Sequence, residues 1–393
     1  MEHPRSENLS PASSIPYWQL SNFYLFYFAS AGILTPYFGV YLQSLGFCPR
    51  KIGVITAILF IAKAIAPNVW GWLGDRHGKY IEIVRITAFV SAISFAGIYF
   101  SPAALFGWFV LVITVFGFFW NAVLPQVEVV TLNHLGADRH NYSHIRLWGS
   151  IGFILAVLLF GELLNQYGTG LVAHGMLILL IGMAASSLLI PGHPGKALTR
   201  RSESLGWILR QPRVLALLLA CFLMQVSHGP FYAFYSIYLD EHLYSYTLIG
   251  SLWAVGVGAE VAIFMVMPRI LKYVGLRNLF VFAFALSGLR WSLMALFPMV
   301  LWVQIVSQLL HAATFGVFHV VSVLFIHRFF TETYHSFGQS LYRSIGTGLG
   351  GAVGVLGGGF LWHSTGGEIT YLVAAGISIS ALFIVWRWIR DKV

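Results

Sequence analysis

SLWAVGVGAEVAIFMVMPRI, residues 251–270, is apolar along its length apart from Glu260 at its middle and Arg269 near its end. About 20 predominantly apolar residues is the length of a membrane-spanning helix. A charged side chain at the bilayer centre costs about 2.5–3.5 kcal/mol on insertion scales. A carboxylate retained there is expected to face a cavity or a partner, not lipid.

The rest of the chain agrees with a membrane reading. Of 393 residues, 58% are hydrophobic and 9% charged, against about 25% charged in soluble domains. So few charges cannot cover a water-facing surface, so lipid is the expected solvent. The formal net charge of +9 comes from Lys and Arg clustered between apolar runs. That is loop placement, not the continuous basic face of a nucleic-acid binder. Cys48 and Cys221 are far apart in sequence and read as packing residues, with neither a disulfide nor a metal site expected. Residues 1–16 form a polar tail, and the first apolar run is too long for a signal peptide, so it reads as an uncleaved first span.

Twelve such runs can be marked: 17–43, 51–73, 80–100, 103–132, 144–164, 169–190, 213–239, 246–271, 277–297, 299–327, 336–362 and 369–389. Barrel strands would be about 10 residues long with period-two alternation, so the expected class is an all-α membrane protein. With an even number of spans, both ends share one side. That side carries most of the loop bases, among them Arg76, Lys79, Arg139, Lys196, Arg200, Arg201, Lys272 and Arg328, while Arg50 and Lys51 lie on the other. The positive-inside rule makes the basic side cytoplasmic. The longest loop, within 191–212, is basic and rich in helix breakers, and it separates a 17–190 bundle from a 213–389 bundle, with 390–393 as a tail. Two six-helix halves with a binding site between them at the midplane is a transporter layout.

The loop after the second span reads GWLGDRHGKY, residues 71–80, with Gly71, Gly74 and Gly78, the acid Asp75 and the bases Arg76 and Lys79. It resembles the signature loop of the major facilitator superfamily, which implies a latch between helix ends through charge pairing. RLWGSIGF (146–153), LMQVSHGPFYAFYSIYL (223–239), LWAVGVGAEV (252–261), LRWSLM (289–294) and HAATFGVFH (311–319) look like the 3-phenylpropionic acid transporter branch, a neighbour of the lactose permease type of proton symporter. This resemblance implies a proton-driven secondary transporter of the inner membrane.

Few ionisable groups fall within the spans. Glu260 of the eighth is pulled toward its neutral form by burial and toward the carboxylate by any nearby arginine, as a proton carrier requires. Arg290 of the ninth is its expected partner. His311 and His319 of the tenth stand eight residues apart, about 80° around an α-helix, with Gln304 and Gln308 along the same stripe. The resemblance to lactose permease-type symporters implies that Glu260, Arg290 and one of these histidines act in proton coupling, although the tenth span lacks that family's additional acid. The same resemblance implies substrate contact by Glu128 of the fourth span, which shares a face with Asn121, and by Arg146 of the fifth. Arg146 could grip a carboxylate with two parallel hydrogen bonds. Lys63, near the middle of the second span, suits an anionic substrate. Gln225, His228, Tyr232 and Tyr235, spaced by three, four and three residues around Pro230, are expected on one cavity-facing side of the seventh span.

GTGLGGAVGVLGGG, residues 346–359, contains a G-x-G-x-x-G pattern. It follows no strand and lies inside a span, so it is no nucleotide site. Gly346, Gly350, Gly354 and Gly358 instead form a close-packing stripe. Arg343 just before it reads as interfacial.

The expected function is uptake of a small solute by alternating access, driven by the proton gradient, with no bound cofactor, no metal and no macromolecular partner beyond the lipid bilayer, by a monomer. A small organic acid is the expected substrate. The alternatives are a sugar or nucleoside, export of amphipathic compounds, and a non-transporting membrane scaffold. No catalytic dyad or metal cluster supports an enzyme.

Overall fold

The computed structural model describes residues 15–100, 105–136, 138, 141–192, 209–330 and 334–389, apart from the side chain of Ser336. Most of the expected linker, with Lys196, Arg200 and Arg201, lies outside the described residues, as do Arg139, 1–14 and 390–393. Among the described residues there are twelve helices long and apolar enough to cross a membrane. They are α1 (Tyr17–Ser44), α2 (Pro49–His77), α3 (Tyr80–Phe100), α4 (Phe106–Leu135), α5 (Tyr142–Tyr167), α6 (Leu171–Leu189), α7 (Pro212–Glu241), α8 (Tyr246–Tyr273), α9 (Leu276–Leu296), α10 (Leu301–Phe329), α11 (Phe337–Thr365) and α12 (Gly367–Trp388). Each contains one of the expected apolar runs or overlaps nearly all of it.

The helix ends follow local chemistry. Pro49 and Pro212 occupy first turns, where the missing N–H costs nothing. Ser245 caps α8 by accepting from the Leu248 N–H at 3.3 Å. Gly78 ends α2 in the left-handed region at φ 66°, which glycine adopts without a Cβ penalty.

Helix packing repeats itself. In the first half α1 packs on α5 and α6, α2 on α4, and α3 on α4 and α6. In the second, α7 packs on α11 and α12, α8 on α10, and α9 on α10 and α12. The second set is the first with six added to every helix number, as expected of two repeats of one bundle. The halves meet through α1–α7, α2–α11 and α5–α8.

Lipid tails are as apolar as leucine, so helices in a bilayer associate chiefly by close packing and hydrogen bonds. The glycines of α11 serve two neighbours at once. A Cβ on Gly350, Gly354 or Gly358 would run into Phe222, Val226 or Pro230 of α7, and one on Gly348, Gly351 or Gly359 into Ala64, Phe60 or Pro49 of α2. The stripe read from the sequence therefore faces its own bundle, and the glycines between its members let α11 also approach the other bundle.

The α5–α8 seam is tight at the end away from the basic loops. Gly161 lies against the Tyr246 carbonyl and Gly250 against that of Val157. Asn165 and Glu162 bond the Thr247 hydroxyl, Glu162 as acceptor at 2.8 Å. Further along α8, a side chain at Gly258 would meet open space. This seam is thus tightest at the face opposite the basic loops.

Candidate functional site

A central cavity of about 290 Å³ lies where the halves meet. Six helices line it: α1, α2, α4, α7, α10 and α11. All six depart from a regular α-helix. Pro36, Pro67, Pro125 and Pro230 lie inside α1, α2, α4 and α7. Alpha-helical bonding gives way to π-helix at Ala312–Val317 of α10 and Arg343–Gly350 of α11. Such breaks free backbone groups and are tolerated at membrane depth where protein or cavity water satisfies them; π-turns recur at functional sites.

The wall is aromatic. Tyr27 stacks on Trp120 at 5.1 Å within the first half, and Phe60 of α2 meets Tyr232 of α7 across the halves at 6.1 Å. Phe28 and Phe315 complete it, with hydroxyls at Thr35, Thr56 and Thr347. Among the described residues, Lys63 is the one charged side chain lining the cavity.

Lys63, Asn121, Gln225 and Tyr232 all line this space. The Asn121 amide donates to the Gly117 carbonyl at 2.9 Å and to that of Leu59 in α2 at 3.3 Å, so it also ties α4 to α2. Gln225 is 3% exposed and its Oε1 has no hydrogen-bond partner, an acceptor left over at the cavity wall.

His228 and Tyr235 do not share the face expected for them. His228 Nδ1 is 2.8 Å from the Met224 carbonyl, its Nε2 is 3.4 Å from the Thr314 hydroxyl, and its ring meets the Trp291 edge at 4.8 Å. Tyr235 donates to Gln304 Oε1 at 3.4 Å. At about 100° per residue, Gln225 and Tyr232 nearly eclipse each other, while His228 and Tyr235 lie some 60–80° to one side. The first pair faces the cavity and the second the interior of the second half.

Glu128 and Arg146 stand back from the cavity wall. Glu128 Oε1 accepts from the Tyr142 hydroxyl at 3.3 Å. The Arg146 guanidinium lies 3.7 Å from the Phe28 ring centroid, a cation–π contact with a lining residue.

Glu260 and Arg290 are not a direct pair; His311 stands between them. Arg290, fully buried, donates from Nη1 to His311 Nδ1 at 3.0 Å and to Thr314 Oγ1 at 3.2 Å. A guanidinium can only donate, so Nδ1 accepts and the histidine proton sits on Nε2 (an assignment from the hydrogen-bond network). Nε2 lies 3.8 Å from Glu260 Oε2. Arg290 is covered by Phe231 and Trp291, with ring centroids at 4.3 and 4.5 Å. The charged group whose field reaches Glu260 is Arg146, from the opposite half.

His319 belongs to a separate group. Its Nδ1 is 3.2 Å from the Tyr342 hydroxyl. His311, Phe315 and His319 form one stack along α10, at 5.3 and 6.1 Å, through the π-helical stretch that the sequence reading had taken as plain α-helix.

The loop expected at 71–80 is mostly helix: α2 runs on to His77, so Gly71, Gly74, Asp75 and Arg76 lie in its last turns, where Asp75 accepts from the Tyr80 hydroxyl at 3.0 Å. A Cβ on Gly74 would strike the Tyr80 ring and Gln126, whereas one on Gly71 would only touch Gln126 at 3.8 Å. The Arg76 guanidinium lies 5.4 Å from the Trp72 ring, and Lys79 precedes α3. These contacts bind the loop within the first half.

Apart from Tyr232, sequence reasoning missed the cavity aromatics, since 16% of the chain is aromatic and nothing distinguishes these rings. The fold also brings Arg343 to the α2–α11 junction near Lys63, where the Ser344 hydroxyl donates to the Ala64 carbonyl.

Comparison with known proteins places this architecture. The chain is 28% identical over 311 residues to a probable 3-phenylpropionic acid transporter of Escherichia coli (strain K12), covering 77% of this chain and 80% of that one. It is 29% identical over 284 residues to the maltose permease of Geobacillus stearothermophilus, covering 70% of each. The solved structure of the nucleoside transporter NupG superposes with a TM-score of 0.84 at 18% identity, over 96% of this chain and 99% of that one. Residues 17–373 match the model of the MFS_1 like family. The chain therefore belongs to the MFS_1 like family and is a secondary transporter of the major facilitator type.

Proposed function

We propose that this transporter takes up a small aromatic organic acid, of which 3-phenylpropionate is the model, together with protons. The observation that carries the reading is the cavity wall: aromatic rings on most sides and Lys63 as its charged lining group. An aryl ring is accepted by the first and a carboxylate by the second. The similarity to a probable 3-phenylpropionic acid transporter supports the same substrate class.

The proton is carried by Glu260, beside His311, whose ring Arg290 holds in place by donating to Nδ1. Glu260 is bordered by a histidine of its own half and lies in the field of Arg146 on the other. Rocking of the halves changes the distance to Arg146, and charge–charge energies scale inversely with distance. The proton affinity of Glu260 is thereby tied to which way the carrier faces. No bound cofactor is required, because the proton gradient supplies the energy. In this reading the protein lies in the inner membrane with both termini in the cytoplasm, on the side of the basic loops, and the tight α5–α8 seam lies at the outer face.

Uptake into proteoliposomes with an imposed inward proton gradient tests the reading. Labelled 3-phenylpropionate is expected to accumulate and to leak out when a protonophore is added, while a galactoside and a nucleoside are not concentrated. Accumulation of a neutral solute in place of the acid would replace this reading with sugar or nucleoside symport; extrusion of the acid would reverse the direction.

The outer seam offers a second test. Asn165 and Thr247 touch across the halves, so cysteines at the two sites can be tethered by a short methanethiosulfonate crosslinker. Crosslinking of the Asn165→Cys/Thr247→Cys protein is expected to stop flux and dithiothreitol to restore it. Unchanged flux in fully crosslinked protein would show that this seam does not open during transport.

A further inference from the structure

Two cations, one from each half, stand at the α2–α11 junction, and among the described residues neither forms an ion pair with an acid. Lys63 belongs to α2 and Arg343 to α11, and the junction beside them is closely built. The Ala64 carbonyl accepts from the Ser344 hydroxyl at 3.2 Å and from the Asn68 amide at 2.9 Å. The Ser340 hydroxyl donates to Asn68 Oδ1 at 2.7 Å. Gly348 removes the side chain that would strike Ala64. The immediate chain neighbours of Lys63 and Arg343 are thus in contact. His319 Nδ1 lies 3.2 Å from the hydroxyl of Tyr342, the residue before Arg343.

Neither cation forms an ion pair among the described residues. Both side chains are exposed on the protein surface or cavity wall although they sit within spans. Intramembrane charges ordinarily pair with one another or face a functional cavity; two like charges set side by side describe an anion site. Lys63 lines the cavity, and Thr347, one turn along α11 from Arg343, lines it too. Arg343 opens the π-helical stretch of α11 and stands on the basic-loop side of Thr347. Arg146, the other candidate for a carboxylate, stacks on Phe28 and is not among the lining residues.

We propose that Lys63 and Arg343, one from each half and assisted by His319, form the carboxylate end of the binding cavity, with the aryl group of the substrate lying against Phe60, Tyr232 and Phe315. This rests on the organic-acid reading above and moves charge recognition from Arg146 to the α2–α11 junction. A guanidinium beside an ammonium suits one carboxylate, the first by parallel hydrogen bonds and the second as a point charge. Because the two cations come from different halves, the bound anion also relieves their mutual repulsion, so loading acts on the interface itself.

The test is equilibrium binding to the purified full-length chain, wild type, Lys63→Gln, Arg343→Gln and Arg343→Lys, each checked by size exclusion. The probes are 3-phenylpropionate, benzoate, the neutral 3-phenylpropanamide, a galactoside and a nucleoside. Loss of a charge-assisted hydrogen bond is expected to weaken the acids about tenfold or more in Arg343→Gln and in Lys63→Gln. Amide binding should be unchanged within about twofold, and Arg343→Lys should recover part of the loss. Equal acid affinity in wild type and both glutamine variants would overturn this site and leave the organic-acid reading standing. Wild type that binds no acid, whether or not it binds a sugar or nucleoside, would overturn both. Wild type that binds amide and acid equally would overturn charge recognition at this junction. If the glutamine variants do not fold, Arg343→Lys decides: wild-type affinity for acids together with an unchanged acid-over-amide preference would overturn the arginine-specific contact, and a selective loss for acids supports it.

Discussion

Glu260→Gln is expected to abolish accumulation of substrate against its gradient and to spare exchange of labelled for unlabelled substrate. Glutamine keeps the size and hydrogen-bonding capacity of the side chain but holds no titratable proton. It leaves His311 Nε2 facing a neutral acceptor where Oε2 now lies at 3.8 Å. With proton movement uncoupled, steady-state internal concentration should fall to about the external one, because nothing is left to drive an uphill step. Exchange needs the loaded carrier to reorient without proton turnover, so it should continue. Side-by-side uptake and counterflow in the same proteoliposomes separate the two. Normal accumulation by Glu260→Gln would exclude Glu260 as the proton carrier and move attention to His311. Loss of both activities would assign the residue to folding or substrate binding.

Gly229→Val is expected to give the largest loss of stability. Gly229 of α7 lies against the backbone of Gly354 and Val355 in α11, so near that even a Cβ would overlap main-chain atoms. Backbone cannot rotate aside as a side-chain tip can. Forcing extra carbons into such a packed contact costs about 1–3 kcal/mol or more, and in lipid there is little other than packing to hold two helices together. Thermal denaturation followed by size exclusion in mild detergent should show a marked drop for Gly229→Val. Gly107→Val, at a position with open space around it, should change little. Equal stability of the two variants would mean that the α7–α11 contact does not hold the second half together.

Both predictions concern residues whose importance is partly visible in the chain. Glu260 stands out because a carboxylate amid apolar residues has no inexpensive explanation in a bilayer. The α11 glycines stand out because their four-residue repeat is the period of a helix face. Lys63 is conspicuous for the same reason as Glu260, and the structure brings it to the cavity wall. His311 and His319 looked alike in sequence, yet one stands between Glu260 and Arg290 and the other meets Tyr342. Tyr232 and Tyr235 looked alike too, and one faces the cavity while the other faces Gln304.

The division has a physical basis. Span number, helix class and the six-plus-six layout follow from how long each apolar run is and where the charges interrupt it, and lipid enforces those features one helix at a time. Hydropathy therefore sufficed for them. Which polar groups meet is decided by the rotation and depth of each helix against its neighbours. Those depend on glycine contacts, interior prolines and the π-helical stretches at Ala312–Val317 and Arg343–Gly350. A single π-turn shifts the phase of every later residue on its helix, and no apolar pattern announces it. Only the packed tertiary structure could place His311 between Glu260 and Arg290 and set Arg343 beside Lys63.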